Sequence, residues 1–269
     1  MILMKDFIQQ AIFYKLIKNF IHEAKRTIEA IGYIGFYMID IFRLAIKLKI
    51  DIKKVIFEAS RIGVDSIVLT IMISALAGMI ISLHLALEMV KQGAGNYVGA
   101  FVTLVMLKEL GPIMAAFSVV FMEGSSIAAE IASMKVTDQV SAMKTLNVNP
   151  IQYIIAPKFL AGMLVMPFVV IVACVVGIVG GLFTSVANTE ITIVAYLESV
   201  HQGLWLKDIA ATLIKGIIFG GIIAMISSVV GYQTTGGALD VGRATTKAVV
   251  WSIIAVAVFD YIISAFFVG

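Results

Sequence analysis

Two adjacent charged residues, Lys108 and Glu109, interrupt an apolar run and stand shortly before Pro112. A charge at the centre of a bilayer costs about 2.5–3.5 kcal/mol on insertion scales, so each side chain needs a partner or a polar cavity. Neighbouring helical residues point about 100° apart, so these two cannot pair as residues four apart do. Two interpretations stay open: ion contacts to other helices, or the polar rim of a cavity. Pro112 cannot donate to the carbonyl of Lys108, which predicts a helix kink there.

Other reactive side chains also lie in apolar surroundings. His84 and Glu88 are four residues apart, a spacing that could supply two metal ligands, but the sequence offers no evident third or fourth ligand. We therefore expect no metal site and a polar contact near the outer surface. Asp260 is an acid near the end of the last apolar run, and pairing between helices and a proton-linked role both stay open. The single cysteine, Cys174, is predicted to be a small core residue.

The composition makes these groups exceptional. The chain of 269 residues is 61% hydrophobic, has a mean hydropathy of +1.03 and carries 14% charged residues, whereas soluble domains carry about 25%. A bilayer is therefore the expected solvent, and a net charge of +3 gives no reason to expect a nucleic-acid partner. The sequence contains no G-x-x-x-x-G-K-[ST], H-E-x-x-H or G-x-S-x-G motif. We expect no ATP hydrolysis by this chain alone, no enzymatic activity and no cofactor.

Long apolar segments must position these residues. Crossing about 30 Å of hydrocarbon takes roughly 20 apolar residues in a helix. The segments predicted to span the membrane are 62–89, 97–122, 159–187, 209–230 and 248–268. Glycines recur in two of them, as "GIVGG" at 177–181 and "GIIFGG" at 216–221, and the second contains a G-x-x-x-G spacing. Such glycines let helix backbones approach closely in lipid, so we expect them to serve helix packing.

The first 61 residues differ from the rest. They carry eleven Lys and Arg residues interleaved with aromatic residues and isoleucines, and their longest uncharged run, 30–39, is too short to cross a bilayer. A basic amphipathic segment of this kind is typical of helices that lie in the headgroup plane. The predicted fold is an all-α membrane protein, with an interfacial N-terminal segment at 1–61 and a five-span domain at 62–269.

The distribution of Lys and Arg predicts the orientation, because cytoplasmic loops carry an excess of both. With the N-terminus inside, the inner side receives sixteen of these residues and the outer side receives Lys91 and Lys207. We therefore expect a cytoplasmic N-terminus and a C-terminus on the opposite side. The segment between the second and third spans is then cytoplasmic.

That segment, "EIASMKVTDQVSAMKTLNVNP" at 130–150, is polar for a chain this apolar. Thr137 is a suitable N-cap, and Asp138 favours a first helical turn because the helix dipole stabilises negative charge there. Asn147 tolerates the left-handed conformation and Pro150 blocks continuation, so the helix ends before them. Nine residues make a rod of about 14 Å, too short to span. Its apolar stripe consists of Val140, Met143 and Leu146.

From the residues alone, this rod is either an ordinary surface loop or a docking element whose apolar stripe inserts into a partner's groove. Three motifs favour the second: "KELGPIMAAF" at 108–117, "GSSIAAEIASMKVTDQVSAMKTLNVNPIQYIIAPKFLAG" at 124–162 and "GRATTKAVV" at 242–250. They resemble the MlaE/YrbE permease family, the membrane subunits of ABC lipid transporters that work with Mce-domain proteins. In that family the segment matching 137–146 is the coupling helix, which seats against a cytoplasmic ATPase.

The resemblance implies candidate residues for two sites. Those expected to couple the chain to the ATPase, in a coupling-helix region at about 130–150, are Glu130, Met134, Thr137, Asp138, Gln139, Val140, Met143 and Leu146. Those expected to contact lipid are Lys108, Glu109, Gln92, Met89, Ile81 and Arg243. Arg243 is alternatively a snorkelling anchor. The chain departs from the family at "FMEGS", where Met122 replaces the Arg of an AGR-x-G pattern and Glu123 follows, so the role of that Arg is not carried over.

The resulting hypothesis is the permease subunit of an ABC-type transporter that moves phospholipid, or a related lipid, between the inner (cytoplasmic) membrane and a periplasmic Mce-domain protein. A separate ATPase uses the ATP. A second permease copy is expected, because five spans are too few to enclose a phospholipid, and spans one, two and five would surround the cavity. The resemblance also implies a small cytoplasmic regulator. The alternatives are a secondary transporter or channel, which would show an inverted repeat, and a membrane scaffold without transport.

Overall fold

The computed structural model describes residues 50–268 together with Gly32, Ile39, Asp40 and Arg43. Residues 50–268 fold into helices, which we number in chain order. They are α1 (Ile52–Lys91), α2 (Gly95–Val136), α3 (Gln139–Thr145), α4 (Ile151–Asn188), α5 (Ile193–Gly203), α6 (Leu206–Tyr232) and α7 (Ala238–Val268). All but α3 and α5 are long and apolar enough to cross a membrane. The prediction of an all-α membrane protein with five spans is therefore confirmed.

Contacts between helix termini give the direction of each span. Glu58 near the start of α1, Lys158 near the start of α4 and Glu130 near the end of α2 form ion pairs. These termini therefore lie together, at the end of the bundle that carries α3. We call this the α3 end, and we call the opposite end, which carries α5, the α5 end. α1, α4 and α7 run from the α3 end to the α5 end, whereas α2 and α6 run back.

The helices are longer than the apolar segments that predicted them, mainly at the α3 end. There α1, α2, α4 and α7 continue for eight to fourteen residues beyond the predicted spans, whereas no helix gains more than three at the α5 end. At 1.5 Å per residue this adds about 12–21 Å of helix. The predicted boundary after residue 61 therefore falls inside α1, whose N-cap is Asp51. The rest of the predicted interfacial segment, at 1–49, lies essentially outside the described residues.

Small residues allow α1 and α4 to pack closely together. One face of α1 presents a small buried residue at every fourth position: Ser66, Thr70, Ser74, Gly78, Ser82 and Ala86. A Cβ added to Gly78 would collide with the carbonyl of Gly177, so the two backbones are in direct contact. α4 meets α6 in the same manner at Gly162 and Gly220. The G-x-x-x-G spacing of α6 thus serves packing within the chain, as expected.

α2 is one helix of 42 residues that contains two π-helical turns, Met106–Leu110 and Val120–Gly124. In the first turn the N–H of Gly111 bonds to the carbonyl of Met106, five residues back. Pro112 follows directly. The helix thus accommodates the proline by a change from four-residue to five-residue hydrogen-bond spacing, at the point where the sequence predicts a kink. π-helical turns are rare and are frequently found at functional sites.

α5, which lies between α4 and α6, was not predicted from the sequence. Thr192 caps it by accepting from the N–H of Ala195 at 3.2 Å. Its buried Tyr196 donates to the carbonyl of Ile178 at 3.2 Å, and burial raises the pKa of this tyrosine to about 12. Ser199 accepts from the N–H of Ala100 in α2 at 2.8 Å. These contacts anchor α5 on α2 and α4.

Candidate functional site

Charged residues of α2, α6 and α7 meet in the half of the bundle nearer the α5 end. We call this the outer cluster, and it consists of Lys108, Glu109, Asp208, Lys215 and Asp260. The ammonium of Lys215 lies 2.6 Å from Asp260 Oδ1 and 3.4 Å from Glu109 Oε2. The ammonium of Lys108 lies 3.3 Å from Asp208 Oδ1. The expectation that Asp260 pairs between helices is confirmed by its contact with α6.

Ser264 of α7 completes this arrangement. Its hydroxyl donates to Glu109 Oε1 at 2.7 Å and accepts from Lys215 at 2.7 Å. The carboxylate of Glu109 is therefore held by two groups from different helices. Such charge-assisted bonds fix the position of a side chain more firmly than neutral ones.

The π-helical turn of α2 leaves carbonyls that α6 satisfies. Pro112 has no N–H for the carbonyl of Lys108, and the amide four residues after Leu107 is already bonded elsewhere. Thr212 donates to the carbonyl of Leu107 at 2.7 Å, and the ammonium of Lys215 donates to the carbonyl of Lys108. Because a buried carbonyl without a donor is costly, α6 is attached to α2 at this turn. Lys215 thus serves the backbone and the outer cluster at once.

The outer cluster is buried on one side and open on the other. The side chains of Lys215 and Asp260 are almost completely buried, whereas 46% of Lys108 and 44% of Glu109 is exposed. Three carboxylates face two ammonium groups, so the formal charge of the cluster is −1. The interpretation as ion contacts to other helices is confirmed by these pairs, and the polar rim of a cavity stays a prediction.

The other residues expected to contact lipid are spread along the bundle. Ile81 and Met89 are half-buried near the end of α1, and Gln92 follows that helix at the α5 end. Arg243 lies near the start of α7, about 26 Å along the helix from Asp260. It is exposed and pairs with Asp240 at 3.2 Å. The structure does not bring Arg243 together with the outer cluster.

The polar pair of α1 that has metal-ligand spacing lies apart from this cluster. His84 is exposed, and Glu88 pairs with Lys91 on the surface at 3.1 Å. Cys174 is buried, as expected, and its Sγ contacts the carbonyl of Met106 at 3.5 Å.

The short helix α3 forms where the sequence predicts a rod, with a different start. Its N-cap is Asp138, in the left-handed conformation with φ 59°. Thr137 is not the cap, because it still belongs to the last turn of α2, where its hydroxyl donates to the carbonyl of Ser133 at 2.8 Å. Asn147 adopts φ 60°, as predicted for the residue that ends the helix. Pro150 stands at the N-terminus of α4.

Two of the three residues in the apolar stripe of α3 face the chain itself. Val140 is completely buried, in a cluster with Ile127 and Ile131 of α2 and Ile154 of α4. Met143 is partly buried and packs against the same cluster, as does Met134 of α2. Val140 is therefore not available to a partner, because its apolar area is already removed from water.

The outer side of α3 is open. Residues 137–139, 141–142 and 144–149 are exposed, including Leu146 with 76% of its surface accessible. The ammonium groups of Lys135 and Lys144 lie 5.3 and 5.7 Å from the ring centre of Tyr232, the last residue of α6. Such cation–π contacts contribute about 0.5–1 kcal/mol at exposed sites. α3 is thus seated on the ends of α2, α4 and α6 and presents a mostly polar face outward.

A second charged group lies at the α3 end and is called the inner network: Glu58, Arg61, Glu130 and Lys158. The ammonium of Lys158 lies 2.9 Å from both oxygens of Glu58 and 3.0 Å from Glu130 Oε2. Arg61 donates to Glu130 Oε2 at 2.9 Å and to Ser126 at 2.8 Å. The network joins α1, α2 and α4, and its two cations balance its two anions.

The departure from the family pattern lies beside this network. Glu123 is buried and interacts electrostatically with Arg61 and Lys158. Met122, which stands where the AGR-x-G pattern has Arg, is exposed on the surface of α2. The two neighbours therefore point to different surroundings, and only Glu123 belongs with the inner charges.

Sequence reasoning missed most partners of both groups. Asp208, Glu58 and Arg61 lie at or beyond the ends of predicted spans, where they counted only as loop residues. Thr212 gave no signal at all. Lys215 was visible as a charge inside a span, which was the available hint that α6 takes part.

Comparison with known proteins gives consistent matches. The family described as Permease MlaE matches residues 55–266. A probable ABC transporter permease protein of Rickettsia typhi is 34% identical over 236 residues, which cover 88% of this chain and 91% of the relative. A probable ABC transporter permease protein of Synechocystis is 33% identical, covering 80% and 82%. The protein TRIGALACTOSYLDIACYLGLYCEROL 1, chloroplastic, of Arabidopsis thaliana is 32% identical, covering 82% and 63%.

Proposed function

Because this chain belongs to the MlaE permease family, we propose that it is the membrane subunit of an ABC transporter that moves phospholipid or a related lipid. Family membership and five apolar helices within residues 50–268 indicate a multi-pass membrane protein that acts as a transport subunit. An ABC permease works with an ATPase subunit, and the phosphate loop that would hold ATP is absent from this sequence. The ATP is therefore used by a separate cytoplasmic subunit.

The seating of α3 is the observation that carries the proposal. This helix rests on the ends of three spans and leaves a mostly polar face open at the α3 end. A push on that face reaches α2, α4 and α6 through packed side chains. We assign the ATPase contact to the exposed residues Thr137, Asp138, Gln139 and Leu146. The other residues expected to couple the chain to the ATPase then serve to hold α3 on the bundle: Val140, Met143, Met134 and Glu130.

The outer cluster supports a lipid as the cargo. Lys108 is half-exposed and paired with Asp208, so the phosphate of a lipid headgroup would compete with that carboxylate for the ammonium. Glu109 is held in place by Lys215 and Ser264 and shapes the site. Ile81, Met89 and Gln92 line the approach along α1. Arg243 would meet a headgroup only at the α3 end. The name of the Arabidopsis relative is that of a glycerolipid, which agrees with this class of cargo.

A second copy of the chain completes the site in this proposal. Lys108 and Glu109 present charge at a depth where lipid tails would otherwise meet them, and such exposure is costly. Pairing two copies along α1, α2 and α7 covers these residues and encloses a cavity large enough for acyl chains. One chain of five spans has too few helices to do so alone.

The remaining partners follow from the orientation. Within residues 50–268, the α3 end carries eight Lys and Arg residues and the α5 end carries two, Lys91 and Lys207, so we assign the α3 end to the cytoplasm. The α5 end and the C-terminus then face the periplasm, where an Mce-domain protein would receive or deliver the lipid. A small cytoplasmic regulator would join the ATPase. The membrane in this proposal is the inner membrane.

Co-purification tests the proposal directly. The tagged chain is extracted in mild detergent from its native membrane, and a phosphate-loop ATPase is expected to co-purify with it. The double variant Ser141→Asp/Leu146→Asp places charge on the exposed face of α3 and is expected to reduce the bound ATPase at least ten-fold. Leu206→Asp, at an exposed leucine of the α5 end, is the matched control and should retain it. Wild-type binding by the α3 variant, or no ATPase with the unmodified chain, would contradict the proposal.

A further inference from the structure

The inner network joins α1 to the two helices that flank α3. Glu130 of α2 lies seven residues before Thr137. Lys158 of α4 lies thirteen residues after Thr145, the last residue of α3. Glu58 and Arg61 belong to α1, which is separated from α3 along the chain by the whole of α2. A movement of α3 therefore reaches α1 across the ion pairs of this network, in addition to the apolar packing of α1 on α4.

The geometry of Lys158 is suited to transmit such a movement. Its side chain is only 2% exposed, and its ammonium bonds two carboxylates from different helices within 3.0 Å. A buried pair of this kind is weakly screened by salt. Separating it leaves an unpaired charge away from water, which is strongly unfavourable. The contact therefore stays closed when one of the helices is pushed, and the helices move together.

We propose that Lys158 is a positioning residue that makes α1 move as one unit with α3. This inference rests on the proposed function, because the ATPase on α3 is the source of the movement. Glu58 is the acceptor on α1, and Glu130 with Arg61 holds the ammonium in the correct place. α1 is the helix assigned to the cavity wall, so the network carries work from the cytoplasmic end to the lipid site.

A second contact between the same helices provides a matched control. The ammonium of Lys54 in α1 lies over the ring of Tyr153 in α4. Half of Tyr153 is exposed to solvent, so this contact costs little to break. Lys54→Met therefore removes one lysine between α1 and α4 without removing the inner network.

The first test measures whether α1 follows α3, and it does not require transport. Spin labels are placed at Ile56 of α1 and Lys144 of α3, both exposed and neither assigned to the ATPase contact, in the full chain with Cys174→Ala. The distance distribution in lipid nanodiscs should be narrow and should stay unchanged when the co-purified ATPase binds ATP. Glu58→Gln or Lys158→Met should broaden it at least two-fold, Lys158→Arg should restore it, and Lys54→Met should leave it narrow. An unbroadened distribution in both variants, or a wild-type distance that changes with ATP, would overturn the inference.

The second test measures how efficiently ATP hydrolysis drives lipid movement. In proteoliposomes that contain labelled phospholipid, Glu58→Gln should raise the number of ATP molecules hydrolysed per lipid moved at least ten-fold. A merely structural role would lower both rates together and leave the ratio unchanged, which would count against the inference. If the wild-type complex binds no ATPase or moves no lipid, the proposed function fails. The broadening measured without nucleotide still decides whether the network links α1 to α3.

Discussion

The inner network and the outer cluster are both built from acidic and basic side chains and differ in how far those side chains are exposed. The inner network pairs two cations with two anions, and its central lysine is buried. The outer cluster sets three anions against two cations and leaves Lys108 and Glu109 half-exposed. Each of them links three helices, so the number of helices joined does not distinguish them.

This difference indicates different roles for the inner network and the outer cluster. The central Lys158 of the inner network is buried and bonds two carboxylates, so it has no capacity left for a ligand and serves to hold helices together. Lys108 and Glu109 of the outer cluster are half-exposed and retain charge that a ligand can satisfy, and placing that charge in a membrane is costly unless a ligand or a partner meets it. We therefore assign mechanical linkage to the inner network and ligand contact to the outer cluster. The following variants test this division, ordered by their expected effect on stability.

The largest effect is expected for Lys215→Met. This change leaves Glu109 and Asp260 facing each other without a cation and removes the donor to the carbonyl of Lys108. Breaking a buried ion pair from one side costs about 3–5 kcal/mol. The apparent melting temperature of the detergent-solubilised chain should fall strongly. The triple variant Lys215→Met/Glu109→Gln/Asp260→Asn should recover a large part of the loss, and no recovery would contradict the assigned pairing.

A smaller effect is expected for Thr212→Val. The substitution keeps the shape of the side chain and removes the hydroxyl that donates to the carbonyl of Leu107. An unsatisfied buried carbonyl costs about 1–3 kcal/mol. The same measurement should show a moderate decrease, and Thr246→Val, at an exposed threonine of α7, serves as control. Equal melting temperatures for both variants would show that α6 does not support the π-helical turn.

Lys108→Met should separate stability from function. Lys108 is 46% exposed and its partner Asp208 is 16% exposed, so solvent partly screens the pair and its loss should cost nearer to the value for exposed pairs, about 0–1 kcal/mol, than to the cost of a fully buried pair. The melting temperature should change little, whereas transfer of labelled phospholipid in the reconstituted complex should fall at least ten-fold. Retained transfer would remove Lys108 from the lipid site and favour the scaffold alternative for the outer cluster.

The smallest effect is expected for Glu88→Gln. Glu88 and Lys91 are both largely exposed and pair on the surface of α1. Removing one exposed charge of this kind should leave both melting temperature and lipid transfer within error of the wild type. A clear loss of transfer would mean that the ligand site extends beyond the outer cluster to the end of α1.

Hydropathy predicted the number of spans and missed how far each helix continues. The apolar segments mark only the part of a helix that lies in lipid. Hydrogen bonding continues into polar sequence, as from Glu123 to Val136 in α2. These extensions at the α3 end carry Glu58, Arg61 and Glu130, so a search for apolar runs could not detect the inner network. α5 was missed for a related reason, since an amphipathic helix of 11 residues is too short to register as a span.

The positions of the candidate site residues could be predicted from the sequence, but the residues that contact them could not. Lys108 and Glu109 stood out because charge in an apolar run is expensive, and that argument needs no structure. Their partners Asp208, Lys215 and Ser264 are about 100 to 155 residues away, and only the packing of α6 and α7 on α2 brings them into contact. At α3, the stripe of Val140 and Met143 was correctly identified as apolar. The sequence could not show that the bundle itself covers it.

The π-helical turns of α2 make this helix tolerant of a change in length at two places. Each turn accommodates a residue more than an α-helix would between the same two hydrogen bonds. Deleting one residue within Met106–Leu110 would therefore permit a regular α-helix and leave the segments on both sides in nearly the same angular phase. The same deletion in the regular α-helical part at Val98–Val105 would rotate everything beyond it by about 100° relative to the α5 end, and Glu123 and Glu130 would leave their neighbours. The π-helical turns are thus the places where α2 can lose a residue without turning α3 away from the outer cluster.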